Sequence, residues 1–115
     1  VLYVDDEPIN LDLFEISFMN DFRVIKSESG QDALEIFKQT QIDVLVTDLK
    51  MPGMDGIELI KKVKSLDQKK NCILLTGFYE ENIIKDPEIK SLIFKYVMKP
   101  FKREQLRKFI NEAAD

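Results

Sequence analysis

A chain of 115 residues, 44% hydrophobic and 33% charged, is sized for one globular domain that can bury a core without disulfides or a structural metal. A single cysteine, Cys72, and the lack of any histidine exclude an internal disulfide, a cysteine zinc site, a Ser-His-Asp triad and a phosphohistidine donor within this chain. The net charge of -4, with a pI near 4.9, argues against sequence-blind binding to nucleic acid or to an anionic membrane. No apolar run approaches the ~20 residues of a membrane span. One free thiol suits a reducing cytoplasm. The chain begins inside an apolar run, so residues 1–115 are expected to be one domain trimmed from a longer protein.

A short apolar run recurs along the chain, each time followed by a segment of helical period. The first run is Val1 to Val4. Pro8 then suits the first turn of a helix, where its missing N–H costs nothing. In that helix Ile9, Leu13 and Ile16 recur at helical spacing, and Leu11, Phe14 and Phe18 widen the stripe. Phe22 to Ser27 mixes apolar residues with Arg23 and Lys26. Ser29 and Asp32 form a capping pair for a second helix with Ala33, Ile36, Phe37 and Thr40 inward. Val44 to Thr47 is an unbroken apolar run. Beyond it, Pro52, Gly53 and Gly56 supply turn chemistry. Asp55 and Glu58 open a third helix on Ile57, Ile60 and Val63. Met51 and Met54 read as packing residues.

Cys72 to Leu75 is again unbroken, and burial there predicts an inert thiol. A fourth helix starting at Glu80 meets Pro87, which predicts a short helix to Lys85 and a second turn near Glu88 to Leu92. Phe94 to Met98 mixes in Lys95. Gln105 to Ala114 completes the pattern, with Leu106, Phe109 and Ile110 inward.

Five strands alternating with five helices predict an α/β fold, a parallel sheet covered on both faces. Strands buried on both faces read as continuous apolar runs, whereas edge strands tolerate charge. The first, third and fourth runs are therefore central and the second and fifth are edges. With right-handed crossovers this predicts the order 2-1-3-4-5, a flavodoxin-like, doubly wound, five-stranded sheet.

Ligands of such folds bind beyond the carboxyl ends of the strands. The residues there are Asp5, Asp6 and Glu7 after the first strand, Asp48 after the third, Thr76 and Gly77 after the fourth, and Lys99 and Pro100 after the fifth. Clustered carboxylates repel one another, and a hard divalent cation relieves that repulsion. Lys99 is a compact charge suited to a phosphoryl oxygen or to pairing with Asp48. Asp48 is an anionic nucleophile able to form an acyl phosphate, and phosphoryl transfer needs mainly alignment and charge neutralisation.

Together these stretches resemble the receiver domain of two-component response regulators. The resemblance rests on Val4-Asp5-Asp6-Glu7, on Asp48 within VTDLKMPGMDG, on Leu75-Thr76-Gly77, and on Tyr96-Val97-Met98-Lys99-Pro100-Phe101. It implies that Asp48 is the phosphoacceptor and that Mg²⁺ is the cofactor. Asp6 would be a direct metal ligand, Asp5 a ligand through water, and Lys50 a contributor through its backbone carbonyl. Lys99 would contact the phosphoryl group, with its bond to Pro100 cis. Thr76 and Tyr96 would form the switch pair, and Gly77 would let backbone approach the phosphate.

The resemblance further implies a histidine kinase or phosphotransfer protein as phosphodonor. It implies an output domain or partner protein read through the fourth helix, fifth strand and fifth helix, and a phosphorylation-dependent homodimer as a candidate assembly. It implies no direct nucleic-acid or membrane binding and a cytoplasmic location. The domain would catalyse its own phosphorylation and dephosphorylation rather than turn over a metabolite. Two features depart from the family pattern, Asp86-Pro87 within the fourth helix and Ser91 where glycine is usual. Lys50 and Phe78 occupy positions that tune phosphoryl lifetime.

Three rival readings are weaker. A dehalogenase-type phosphatase needs a second acid two residues after the nucleophile, but Leu49 and Lys50 follow Asp48. A flavin or nucleotide binder needs a small, hydroxyl- or glycine-rich phosphate loop after the first strand, and Asp5-Asp6-Glu7 would repel the phosphate. A receiver-like module that is never phosphorylated would be expected to lack a key residue, and none is missing.

Overall fold

A computed structural model describes residues 1–77, 82 and 85–115. Its elements, in order, are β1 (Leu2–Val4), α1 (Pro8–Phe18), β2 (Ile25–Ser27), α2 (Gly30–Gln39) and β3 (Val44–Asp48). They continue with α3 (Gly56–Leu66), β4 (Asn71–Thr76), α4 (Pro87–Leu92), β5 (Lys95–Met98) and α5 (Arg103–Ala114). The strands form one parallel sheet in the order β2-β1-β3-β4-β5, as the distribution of charge among the runs predicts. Among the described residues no helix is long and apolar enough to cross a membrane.

Alternation along each strand divides the core into two layers. Leu2, Val4, Leu45, Cys72 and Leu74 face α2 and α3 and pack with Ala33, Leu59, Ile60 and Val63. Tyr3, Val44, Val46, Ile73, Leu75 and Val97 face α1 and α5 and pack with Leu11, Phe14, Phe18, Leu106 and Ile110.

The caps form as the spacing predicts. Ser29 accepts a hydrogen bond from the Asp32 amide and Asp55 accepts one from the Glu58 amide. Pro8 occupies the first turn of α1. Only one half of the predicted α1 stripe turns inward. Leu11, Phe14 and Phe18 are buried, while Ile9, Leu13 and Ile16 are 71%, 57% and 66% exposed. Both sets have helical spacing, so area decides between them, and each phenylalanine offers roughly 150–250 Å² to bury. The ring of Phe14 stacks on Tyr3 at 4.0 Å and meets Phe18 at 4.8 Å. Arg103 locks this layer from outside. Its guanidinium lies 5.6 Å above the Phe18 ring, donates to the Ser17 carbonyl at 2.8 Å and pairs with Asp21.

Lys85 is helical, the helix breaks at Asp86, and Pro87 begins α4, which covers the turn expected near Glu88 to Leu92. Asp86 caps it, accepting from the amides of Glu88 and Ile89, and Pro87 takes the first-turn position. The predicted stretch from Glu80 to Lys85 falls mainly outside the described residues, as does Phe78. Ser91 lies within α4, its hydroxyl donating to the Glu88 carbonyl at 2.6 Å.

Candidate functional site

Parallel strands end on one edge, and that edge gathers the acidic residues. Oxygen atoms of Asp5, Asp6 and Asp48 lie within 4.8 Å of one another. Lys99 reaches them from the end of β5, its Nζ 3.1 Å from Asp5 Oδ2 and 3.4 Å from Asp48 Oδ1. The Lys99 amide donates to the Thr76 carbonyl at 2.7 Å, which anchors this segment to the end of β4. The Lys99–Pro100 peptide is cis.

Asp5 is wholly buried, yet its carboxylate is well supplied with donors. Tyr3 donates its hydroxyl to Oδ2 at 2.8 Å, and the Glu7 amide donates to Oδ1 at 3.0 Å. Glu7 thus enters the site through its backbone, while its side chain is exposed. Burial pushes the Asp48 carboxyl above the ordinary carboxylate range. The charge of Asp5 pushes it the same way, and Lys99 opposes both. Burial, reinforced by the charge and hydrogen bond of Asp5, raises the Tyr3 phenol far beyond its usual value, so it is a neutral donor.

The backbone of Asp48 is held from the α3 side. Gly56 donates its amide to the Leu49 carbonyl at 2.8 Å. A Cβ on Gly56 would stand 2.2 Å from the Asp48 carbonyl oxygen, so only glycine allows this approach. Gly53 has φ +74° and is the position where the loop needs a left-handed residue. Lys50 is exposed on that loop, beside the buried Met51. Met54 packs against Gly30 and the α2–α3 core.

Thr76 is buried at the end of β4, opposite Met98 in register, while Leu74 is opposite Tyr96. Thr76 and Tyr96 therefore share one face of neighbouring strands, two positions apart, with Tyr96 partly buried against the α2–α3 core. Gly77 is exposed, and among the described residues nothing lies within 4 Å of where its Cβ would stand.

The family model described as response regulator receiver domain matches residues 1–111. The chain belongs to that family. Phosphorylation-dependent signalling is the function of this family, and its members are signalling domains rather than metabolic enzymes. The transcriptional regulatory protein YesN of Bacillus subtilis is 34% identical over 97% of this receiver domain, which spans only 31% of YesN. Sporulation initiation phosphotransferase F of the same organism is 30% identical, with 93% of this chain and 86% of the relative covered. Among solved structures, a receiver domain protein from Clostridium thermocellum superimposes with a TM-score of 0.89 at 30% identity, covering 98% of this chain and 91% of that one. The response regulator TrrA from Thermotoga maritima, in complex with Mg²⁺-BeF, gives 0.86 at 26% identity, covering 97% of this chain and 96% of that one.

The donor set suits a hard cation. It is all oxygen, with three carboxylates gathered around one ammonium, and it leaves an uncompensated negative charge at the rim. The residue that the sequence reading passes over is Tyr3, which sits in an apolar run. Its signal is positional, because a hydroxyl two residues before Asp5 lies on the same face of β1.

Proposed function

We propose that Asp48 accepts a phosphoryl group from a phosphohistidine on a separate kinase or phosphotransfer protein. The observation that carries this reading is the convergence of Asp5, Asp6, Asp48 and Lys99 at one rim. Asp5, Asp6 and Asp48, with the Lys50 backbone carbonyl, would hold Mg²⁺. When bound, this ion neutralises carboxylate and phosphoryl charge and aligns the phosphoryl oxygens. The Mg²⁺-BeF complex of TrrA supports that assignment.

An oxygen of Asp48 attacks phosphorus, the donor's P–N bond breaks with its electron pair going to the imidazole, and an aspartyl acyl phosphate forms. Lys99, shared at rest between Asp5 and Asp48, then turns to the new phosphoryl oxygens. The Thr76 hydroxyl and Gly77 backbone supply further donors. Water attack on the acyl phosphate releases inorganic phosphate and returns the resting carboxylate, so the domain catalyses only its own modification and reversal. As Thr76 moves toward the phosphoryl group, Tyr96 turns inward and changes the surface of α4, β5 and α5. That surface contacts an output domain, a partner protein or a second copy.

A docking face for the donor lies beside the rim. Ile9, Leu13 and Ile16 form an exposed apolar stripe on α1, and Leu13 borders a recess shared with Lys99, Pro100 and Phe101. The central test is intact mass after incubation with acetyl phosphate and Mg²⁺. One added phosphoryl group, absent with EDTA and in Asp48→Asn, is the expected result. Labelling that persists in either condition would overturn the reading.

A further inference from the structure

We infer that Tyr3 is a positioning residue that bars Asp5 from chelating a cation and thereby tunes the rim toward Mg²⁺ and away from Ca²⁺. This rests on the metal assignment proposed above.

An ionised carboxylate has about four lone-pair positions. On Asp5, Oδ2 accepts from both the Tyr3 hydroxyl and Lys99 Nζ, and Oδ1 accepts from the Glu7 amide. One acceptor position on Oδ1 is left. Asp5 can therefore receive one hydrogen bond from a metal-bound water, or offer one oxygen, but it cannot close a bidentate ring around an ion. The two cations differ in what this denies them. Mg²⁺ is octahedral and keeps several waters, so it loses little. Ca²⁺ takes 6–8 oxygens and uses bidentate carboxylates to reach that number.

Of the two donors on Oδ2, Tyr3 is the fixed one. Lys99 is a flexible side chain, partly exposed and shared with Asp48. Tyr3 is 2% exposed and its ring is stacked on Phe14, with centroids 4.0 Å apart and planes within 10°. Leaving Oδ2 would require either moving that ring out of the α1 layer or stranding a buried hydroxyl. Both are costly in a close-packed core. The hydroxyl also has the right strength for the task, because it occupies the oxygen without adding a charge to the rim.

The test is a titration of the isotopically labelled 115-residue chain with Mg²⁺ alone and with Ca²⁺ alone, following amide chemical shifts near Asp5 and Asp48. Wild type, Tyr3→Phe, Tyr3→Leu and Asp6→Asn are compared. In Tyr3→Phe the ring and its stacking stay, so Ca²⁺ affinity should rise about fivefold while Mg²⁺ affinity changes less than about twofold. Tyr3→Leu should shift the ratio of affinities in the same direction. An unchanged ratio in Tyr3→Phe overturns the inference. A change confined to Tyr3→Leu also overturns it, since packing would then be the cause. If wild type binds no Mg²⁺, or binds it undiminished in Asp6→Asn, the metal assignment itself fails and takes this inference with it. That outcome is distinct from a wild type that binds Mg²⁺ through Asp6 with no role for the hydroxyl.

Discussion

Gly56 touches Asp48 through the backbone, and the contact leaves no room for a side chain. A Cβ there would lie 2.2 Å from the Asp48 carbonyl oxygen and 3.1 Å from the Leu49 Cα. Neither neighbour can rotate aside, since both belong to the chain leaving β3. Gly56→Ala must therefore displace either the first turn of α3 or the segment that presents Asp48. A cost of about 2 kcal/mol is expected, in the range of an overpacked core. Gly77 offers the contrast, because it is exposed and has no described neighbour within 4 Å of a Cβ. Gly77→Ala should change stability by less than about 0.5 kcal/mol. Urea unfolding of the two variants checks the pair, and equal effects would refute the steric argument.

The charge on Asp48 is a burden to the metal-free fold. Burial and Asp5 raise its carboxyl above the unfolded value, and Lys99 only partly compensates. The folded state therefore holds the proton more tightly than the unfolded chain. The associated stability is fully present below the unfolded carboxyl value and is lost as pH rises through the higher folded value. Above the folded value that stability is absent, and Asp48→Asn removes its source while Lys99 keeps Asp5 as partner. In chelating buffer the variant should be more stable than wild type. The gap should narrow as the solution is acidified toward the ordinary carboxylate range. Urea midpoints at several pH values test this, and a gap that widens on acidification would contradict the sign.

Cys72 sits in β4 with no exposed surface, and burial pushes its thiol up to about 12. A thiolate is the reactive species, so both access and ionisation protect it. Alkylation of the native chain at neutral pH should run at least a hundredfold slower, by order of magnitude, than in urea-unfolded chain. Mass spectrometry of iodoacetamide-treated samples measures the ratio. Equal rates would mean that β4 opens readily.

Much of this architecture is legible in the residues because strand burial leaves a compositional trace. The apolar runs of Val1 to Val4, Val44 to Thr47 and Cys72 to Leu75 lie in the central strands, and Lys26 and Lys95 mark the two edges, as composition predicts. The acidic rim follows from the same trace, since parallel strands must end together. Helix α1 and Tyr3 resist such reading for physical reasons. Helix α1 carries apolar residues on two faces, and periodicity alone cannot tell which face is heavier; the aromatic rings of Phe14 and Phe18 settle it. Tyr3 is hidden in a different way, because a hydroxyl at the tip of a core aromatic leaves no mark on the apolar pattern around it.

The outward face of α1 is apolar as well. Ile9, Leu13 and Ile16 remain more than half exposed although each could bury enough area to be worth about 1.5–3 kcal/mol. Leu13 borders the recess of Lys99 and Pro100, so under the proposed function this stripe is where the phosphohistidine donor would dock. Leu13→Glu and Ile16→Glu remove no core contact and should leave the unfolding midpoint within about 0.5 kcal/mol of wild type. They should slow phosphoryl transfer from a phosphorylated kinase or phosphotransfer domain about tenfold, the loss of roughly 1.4 kcal/mol of docking energy. Transfer from acetyl phosphate, too small to reach α1 from the rim, should proceed at the wild-type rate. Following both reactions by intact mass separates docking from chemistry. Equal slowing with both donors would place the defect at Asp48 and dismiss α1 as a docking face.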